Sequence, residues 1–335
     1  MKLDAMILGT PLAEAGAAAA TAEAAGYDGW LTGETAHEPL LTCGAAGAAT
    51  QRIQVGTAIA VAFPRSPMHV AQAANDLQVL TGGRFVLGLG SQVKAHIEKR
   101  FSATWSAPAA RMRDYVLALQ AIWRAWETGE RLVYRGEFYR HTLMTPFFTP
   151  PAHGHGAPPV WLAAVGQKMT GVAGEVADGL LCHGFTTNRY LREVTLPALV
   201  EGARRGGRDR DDVEVSLPVF AVTGHDAAQT AQAEAFVRQQ IAFYGSTPAY
   251  RPVLDLHGWA GLHERLHQHS VRGEWDAMPG LVDDEVLSAF AVTAPPERLG
   301  AAIRDRYGDL ADRVSLYTPF QPTADDVAAL HRDLG

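Results

Sequence analysis

Residues 53–90 read IQVGTAIAVA-FPRS-PMHVAQAANDLQVL-TGGR-FVLGLG. The outer pieces, Ile53–Ala62 and Phe85–Gly90, are continuously apolar rather than alternating, as strands covered on both faces by helices are. The piece between them, Pro67–Leu80, carries helical spacing, so the stretch reads as one strand–helix–strand unit with parallel strands. The same unit recurs in both directions. Further strands are predicted at Leu3–Leu8, Asp28–Thr32, Val160–Ala164, Gly179–His183, Val213–Val222 and Val314–Thr318. Helical segments separate them: Ala13–Ala25, Glu38–Thr50, Ala109–Glu127, Lys168–Ala177, Asn188–Arg205, Ala227–Tyr244 and Pro295–Tyr307. Eight strands alternating with helices predict an α/β fold, a (β/α)8 TIM barrel spanning residues 1–335 as a single domain. An open doubly wound sheet is the alternative. Two excursions interrupt the alternation: a hairpin around Arg135-Gly136 after strand four, and a helical cap at 246–289 between strands seven and eight.

Composition narrows the function. Apolar residues make up 47% and charged residues 19% of the 335, the balance of an ordinary globular chain. A net charge of −7 offers no basic face for nucleic acid. The two cysteines, Cys43 and Cys182, form no disulfide framework and no metal spacing. The alanine run in the first 25 residues is interrupted by Asp4, Pro11 and Glu14, which argues against an export signal. No apolar run approaches a membrane span. A cytoplasmic protein is expected.

In a barrel, chemistry is built where strands end. After strand two come Gly33-Glu34-Thr35-Ala36-His37, after strand four Ser91-Gln92-Val93-Lys94-Ala95-His96, and after strand five Val165-Gly166-Gln167-Lys168-Met169-Thr170. Glu34 is the one isolated carboxylate suited to proton transfer; His37, His96 and His183 also lie at strand ends. No lysine stands where a Schiff base would form, and no paired carboxylates or metal-binding His-x-His appear. Small residues, amides and hydroxyls dominate. Such a rim suits a large planar cofactor that brings its own reactivity. Gly88-Leu89-Gly90-Ser91 resembles a phosphate loop, but Val93 breaks the GxGxxG pattern. Gly166–Thr170 opens a helix, so its free N–H groups and Lys168 form an anion site. One motif points elsewhere: His263-Glu264-Arg265-Leu266-His267 fits HExxH, a zinc-hydrolase pattern for which Glu285 is the candidate third ligand.

Taken together, GTAIAVAFPRSPMHVAQAANDLQVLTGGRFVLGLGSQVKAHIEKRF (56–101), PPVWLAAVGQKMTGVAGEVADGLLCHGF (158–185), the hairpin GERLVYRGEFYR and the tail RVSLYTPF resemble the luciferase-like monooxygenase superfamily. Within it, the similarity is to the branch that uses the deazaflavin coenzyme F420. GET-x-H-x-P after strand two and FYGSTPAYRPV near the end are features of one subgroup of that branch. The resemblance runs along nearly the whole chain. It implies a dimeric barrel with the cofactor ring across its mouth, and a non-prolyl cis peptide at Ala60-Val61-Ala62 against that ring. It further implies that Gly90, Ser91, Gln92 and His96 contact the cofactor and that Val165–Thr170 hold its phosphate. Arg65, Lys94 and Lys168 are then expected to meet the cofactor's acidic tail. The chain departs from the family where Glu34-Thr35 replaces an Asp-His pair, and where Val93 or Lys94 stands at the catalytic glutamate of the sugar-phosphate dehydrogenases. The expected activity is hydride transfer between F420 and an unidentified small-molecule substrate, with Glu34 as acid/base and His37 or His96 behind it. Alternatives are an FMN- and O2-dependent monooxygenase of the same fold and a cofactor-binding paralogue without turnover.

Overall fold

A computed structural model describes all 335 residues. Twelve strands occur in chain order: β1 (Lys2–Met6), β2 (Gly29–Thr32), β3 (Gln54–Thr57), β4 (Ala60–Val61), β5 (Phe85–Gly90), β6 (Tyr134–Arg135), β7 (Arg140–His141), β8 (Val160–Ala164), β9 (Gly179–Cys182), β10 (Glu214–Val222), β11 (Ala291–Thr293) and β12 (Arg313–Tyr317). Parallel pairing runs β1-β2-β3-β5-β8-β9-β10-β12 and returns to β1, which closes an eight-stranded barrel and excludes the open sheet. Helices follow the strands and cover the outside.

Strand alternation sorts the barrel residues. Leu3, Trp30, Val55, Leu87, Leu162 and Val314 point outward into the main core beneath the helices. Leu31, Val86, Trp161 and Leu181 point inward and form a second small core. Each such side chain contributes about 1.5–3 kcal/mol when fully buried. Below this inner layer the interior is polar. Asp4 of β1 accepts two hydrogen bonds from Arg313 of β12, at 2.8 and 2.5 Å, with both side chains sealed from solvent. The Arg313 guanidinium lies 5.1 Å from the Trp161 ring centre. Gly29 on β2 makes room for this pair, since a Cβ there would overlap the Asp4 carboxylate.

The third predicted strand differs from expectation. It breaks after Thr57, the Ala58–Ile59 peptide is cis, and only the short β4 resumes, pairing with Leu89 and Gly90 of β5. The reason lies in the neighbouring chain: Ala58 N–H still follows the barrel register onto the Thr32 carbonyl, whereas Val61 N–H is taken by the Glu34 side chain.

Both excursions form. The hairpin pairs Tyr134 with His141 and Arg135 with Arg140. It is pinned to the helix Pro108–Thr128 by Asp114, whose carboxylate accepts from the Tyr134 hydroxyl and from Phe138 and Tyr139 N–H. The cap consists of the helices Arg251–Leu256, Ala260–Arg272 and Asp284–Phe290, and packs with the helix Ala227–Gly245. It has its own core, including Phe185, Phe220, Val237, Leu254, Leu266 and Phe290. No helix is long and apolar enough to cross a membrane.

Removing one partner of a sealed ion pair strands the other charge. Asp4→Ala is therefore expected to lower unfolding free energy by about 3–5 kcal/mol, read from urea midpoints, with Asp4→Leu/Arg313→Met recovering most of it.

Candidate functional site

At the carboxyl end of the barrel the inward positions divide into two unlike halves. On β2, β3, β5 and β8 they carry Gly33, Ala58, Gly90 and Ala163. Ile59 leans across this half; its side chain lies so near Gly90 that a Cβ at that position would come within 2.8 Å of it. Met6, Ala58, Ile59 and Ala163 are partly exposed and floor the mouth directly above Leu31, Val86, Trp161 and Leu181. On β10 and β12 and just past β9 the equivalent positions carry Phe220, Tyr317 and His183, while the helix Ala227–Gly245 adds Tyr244 and the start of the cap adds Tyr250. One half is low and small, the other tall and aromatic.

Glu34 sits at the small half, with its side chain 6% exposed. Its Oε2 accepts from Val61 N–H and from Arg65 Nη1, both at 2.7 Å, while Oε1 has no protein partner. Arg65 also donates to the Val61 carbonyl at 2.9 Å and to Glu38 at 2.9 Å. Burial opposes the Arg65 charge, but the two carboxylates outweigh it and hold its pKa above the usual value. Arg65 is thus committed to Glu34 and Glu38, and the expectation that it meets a ligand's acidic tail does not hold for this geometry.

The predicted bulge is displaced by two residues. The cis peptide is Ala58–Ile59, and Ala60, Val61 and Ala62 pack into the main core, so their side chains do not face the mouth. Gly90 does, as do Ser91 and Gln92 next to it; Gln92 adopts a positive φ of 58° and Ser91 Oγ donates to its carbonyl at 3.2 Å. His37 is exposed and without a hydrogen bond, and His96 is exposed on the helix Lys94–Lys99. After β8 the chain turns at Val165 and enters the helix Gln167–Val176 at Gly166, which supplies no capping side chain. The N–H groups of Gln167, Lys168 and Met169 consequently have no acceptor, while Thr170 N–H reaches the Gly166 carbonyl at 3.1 Å. Free N–H groups at the positive end of a helix, with an exposed lysine among them, are an anion cradle.

The HExxH pair is turned to another purpose. His263 Nδ1 bonds the Gly245 carbonyl at 2.7 Å and His267 Nδ1 the Ser246 carbonyl at 3.0 Å, so both rings cap the end of the helix Ala227–Gly245. No third His, Cys, Asp or Glu joins them, and Glu285 is not grouped with them. The zinc-hydrolase pattern therefore arises from spacing alone.

The luciferase-like monooxygenase family profile matches residues 2–313, and the chain belongs to that family. It is 52% identical over 314 residues to an uncharacterized protein of Mycobacterium tuberculosis, covering 94% of this chain and 92% of that one. It is 33% identical over 273 residues to the F420-dependent glucose-6-phosphate dehydrogenase of Intrasporangium calvum, covering 79% and 73%. Among solved structures it is similar to the coenzyme F420 dependent tetrahydromethanopterin reductase of Methanopyrus kandleri, with a TM-score of 0.79 at 19% identity over 99% of this chain and 97% of that one. It is also similar to the EDTA monooxygenase of Chelativorans sp. BNC1, with a TM-score of 0.69 at 14% identity over 100% and 93%. The structural likenesses establish the luciferase-like (β/α)8 barrel.

Burial alone pushes the His183 pKa from 6.5 down to about 4. A histidine depressed in the folded state contributes stability above its unfolded value, and that contribution is lost as pH falls from about 6.5 toward 4. His183→Phe is expected to remove part of the acid-side loss of stability between those values, measured as melting temperature against pH beside the parent chain.

Proposed function

We propose that this chain is a coenzyme F420-dependent oxidoreductase that moves a hydride between the deazaflavin and a small organic substrate. The observation that carries this reading is the divided mouth. Four inward positions reduced to Gly33, Ala58, Gly90 and Ala163 provide a low apolar floor suited to a flat ring, and an unpartnered helix start stands beside it. The F420-dependent relative supports the choice of ring, because its similarity extends over most of both chains.

When bound, F420 supplies a ring carbon that accepts or donates a hydride. The protein supplies position and charge. Gly90, Ser91 and Gln92 would border the ring, and Val165–Thr170, including the free N–H groups of Gln167, Lys168 and Met169, would hold the phosphate. Lys94 and Lys168, both exposed, remain for the acidic tail once Arg65 is committed. Glu34 would exchange the substrate proton through Oε1, the oxygen left free by Arg65 and Val61. His37 and His96, open to solvent at the same rim, are the further candidates for relaying it.

The test is equilibrium binding of oxidised F420 and, separately, FMN, followed by ligand fluorescence. F420 is expected to bind more tightly, and Lys168→Glu to weaken it at least fivefold, about 1 kcal/mol. Preference for FMN would move the case to a flavin monooxygenase, and two structures sharing this barrel are named monooxygenases; binding of neither would overturn the proposal.

A further inference from the structure

We propose that His183 and the aromatic residues around it form a substrate chamber for an uncharged, ring-bearing molecule, with the His183 Nε2–H binding its carbonyl or hydroxyl oxygen. This deepens the functional reading above and rests on it for the word substrate; the binding site itself is argued from the chain alone.

The position follows from strand alternation. Gly179 and Leu181 of β9 face the barrel axis, and His183 is the next inward residue, directly above Leu181 and across from the small half. The orientation follows from one hydrogen bond. Phe185 N–H donates to His183 Nδ1 at 3.0 Å, which makes Nδ1 the acceptor and leaves the proton on Nε2. Nε2 itself has no protein partner.

The surroundings define what it would meet. The Tyr244 and Tyr250 rings each lie 4.6 Å from the imidazole, one edge-on and one tilted. The Tyr244 and Tyr317 hydroxyls bond each other at 3.2 Å, and Tyr317 also donates to Gln240 at 3.2 Å. Those hydroxyls are spent within the wall, whereas His183 Nε2 and the Tyr250 hydroxyl are free.

No cation is available here for an anionic substrate. Arg238 is held by Glu234, Asp284 and the Val282 carbonyl, and Arg251 by Asp255 and Glu264. No carboxylate faces the imidazole either, and its depressed pKa keeps it neutral near pH 7. An aromatic enclosure with neutral donors binds a neutral ring with an acceptor oxygen; a phosphate or carboxylate would be desolvated there without a partner.

The test uses three fluorinated probes with the full chain and no added cofactor, followed by fluorine NMR line broadening. They are 4-fluoroacetophenone, its oxygen-free counterpart 1-ethyl-4-fluorobenzene, and 4-fluorophenyl phosphate. The ketone is expected to bind at least tenfold more tightly than the phosphate. His183→Phe should weaken the ketone about tenfold, leave the hydrocarbon within twofold, and show that the chamber is intact. His183→Gln, which retains an N–H donor, should recover part of the loss. A ketone unaffected by His183→Phe, a parallel loss of ketone and hydrocarbon, or a phosphate that binds as well as the ketone would each overturn the proposal. Because no cofactor is present, failure to bind F420 with the ketone result intact would remove the cofactor reading alone, and the converse would remove only the chamber.

Discussion

The sealed pair between Asp4 and Arg313 joins the first barrel strand to the last. An isolated charge is not tolerated in that interior, so neither residue belongs there without the other. Their geometry leaves little freedom. Two hydrogen bonds fix the guanidinium plane, Trp161 covers its face, and Gly29 yields the space. Glu214 reaches the same guanidinium at 3.3 Å from β10, so three strands are registered by one group. The layers above inherit that register. Leu31, Val86, Trp161 and Leu181 fill the middle, and the mouth residues take whatever heights the strands then reach.

At those heights the two sides of the mouth obey different rules. On the small side, backbone geometry determines shape: the chain breaks after Thr57, Ile59 leans in against Gly90, and Glu34 with Arg65 holds the resumed strand in place. On the aromatic side, side chains determine it, and two of them, Tyr244 and Tyr250, come from outside the barrel strands. The two sides meet over the Met6 and Ala163 floor, so a flat ligand on one side and a bulkier one against the other would share an edge.

Most of the barrel was legible because continuous apolar runs such as FVLGLG have no other stable use than burial between helices. The hairpin turn at Arg135-Gly136 and the helix start at Gly166 were legible for similar local reasons. The break in strand three was not. IQVGTAIAVA carries no proline, no charge and no turn signal between Thr57 and Ala60, and the break depends on contacts with Glu34 and Thr32 from another strand. The HExxH pair shows the opposite failure, a strong local pattern whose histidines are spent on the carbonyls of Gly245 and Ser246. Arg65 looked like a free rim cation because its partners lie 31 and 27 residues away. The aromatic wall was hidden for the same reason. His183, Tyr244, Tyr250 and Tyr317 carry no shared motif, and only barrel closure with the segment after β10 brings them together.

The cap interrupts the chain between the seventh and eighth barrel strands and rests on side chains more than on strand pairing, the short β11 apart. A barrel strand that slips loses a ladder of hydrogen bonds and a charge partner at once. A cap residue that changes loses packing in a separate core and, at positions such as His263 or Asp284, one side-chain bond to the helix Ala227–Gly245. The two parts of the molecule therefore tolerate sequence drift unequally: lineages sharing this barrel can diverge first in residues 246–290, changing the Tyr250 side of the mouth while its floor and closure stay as they are.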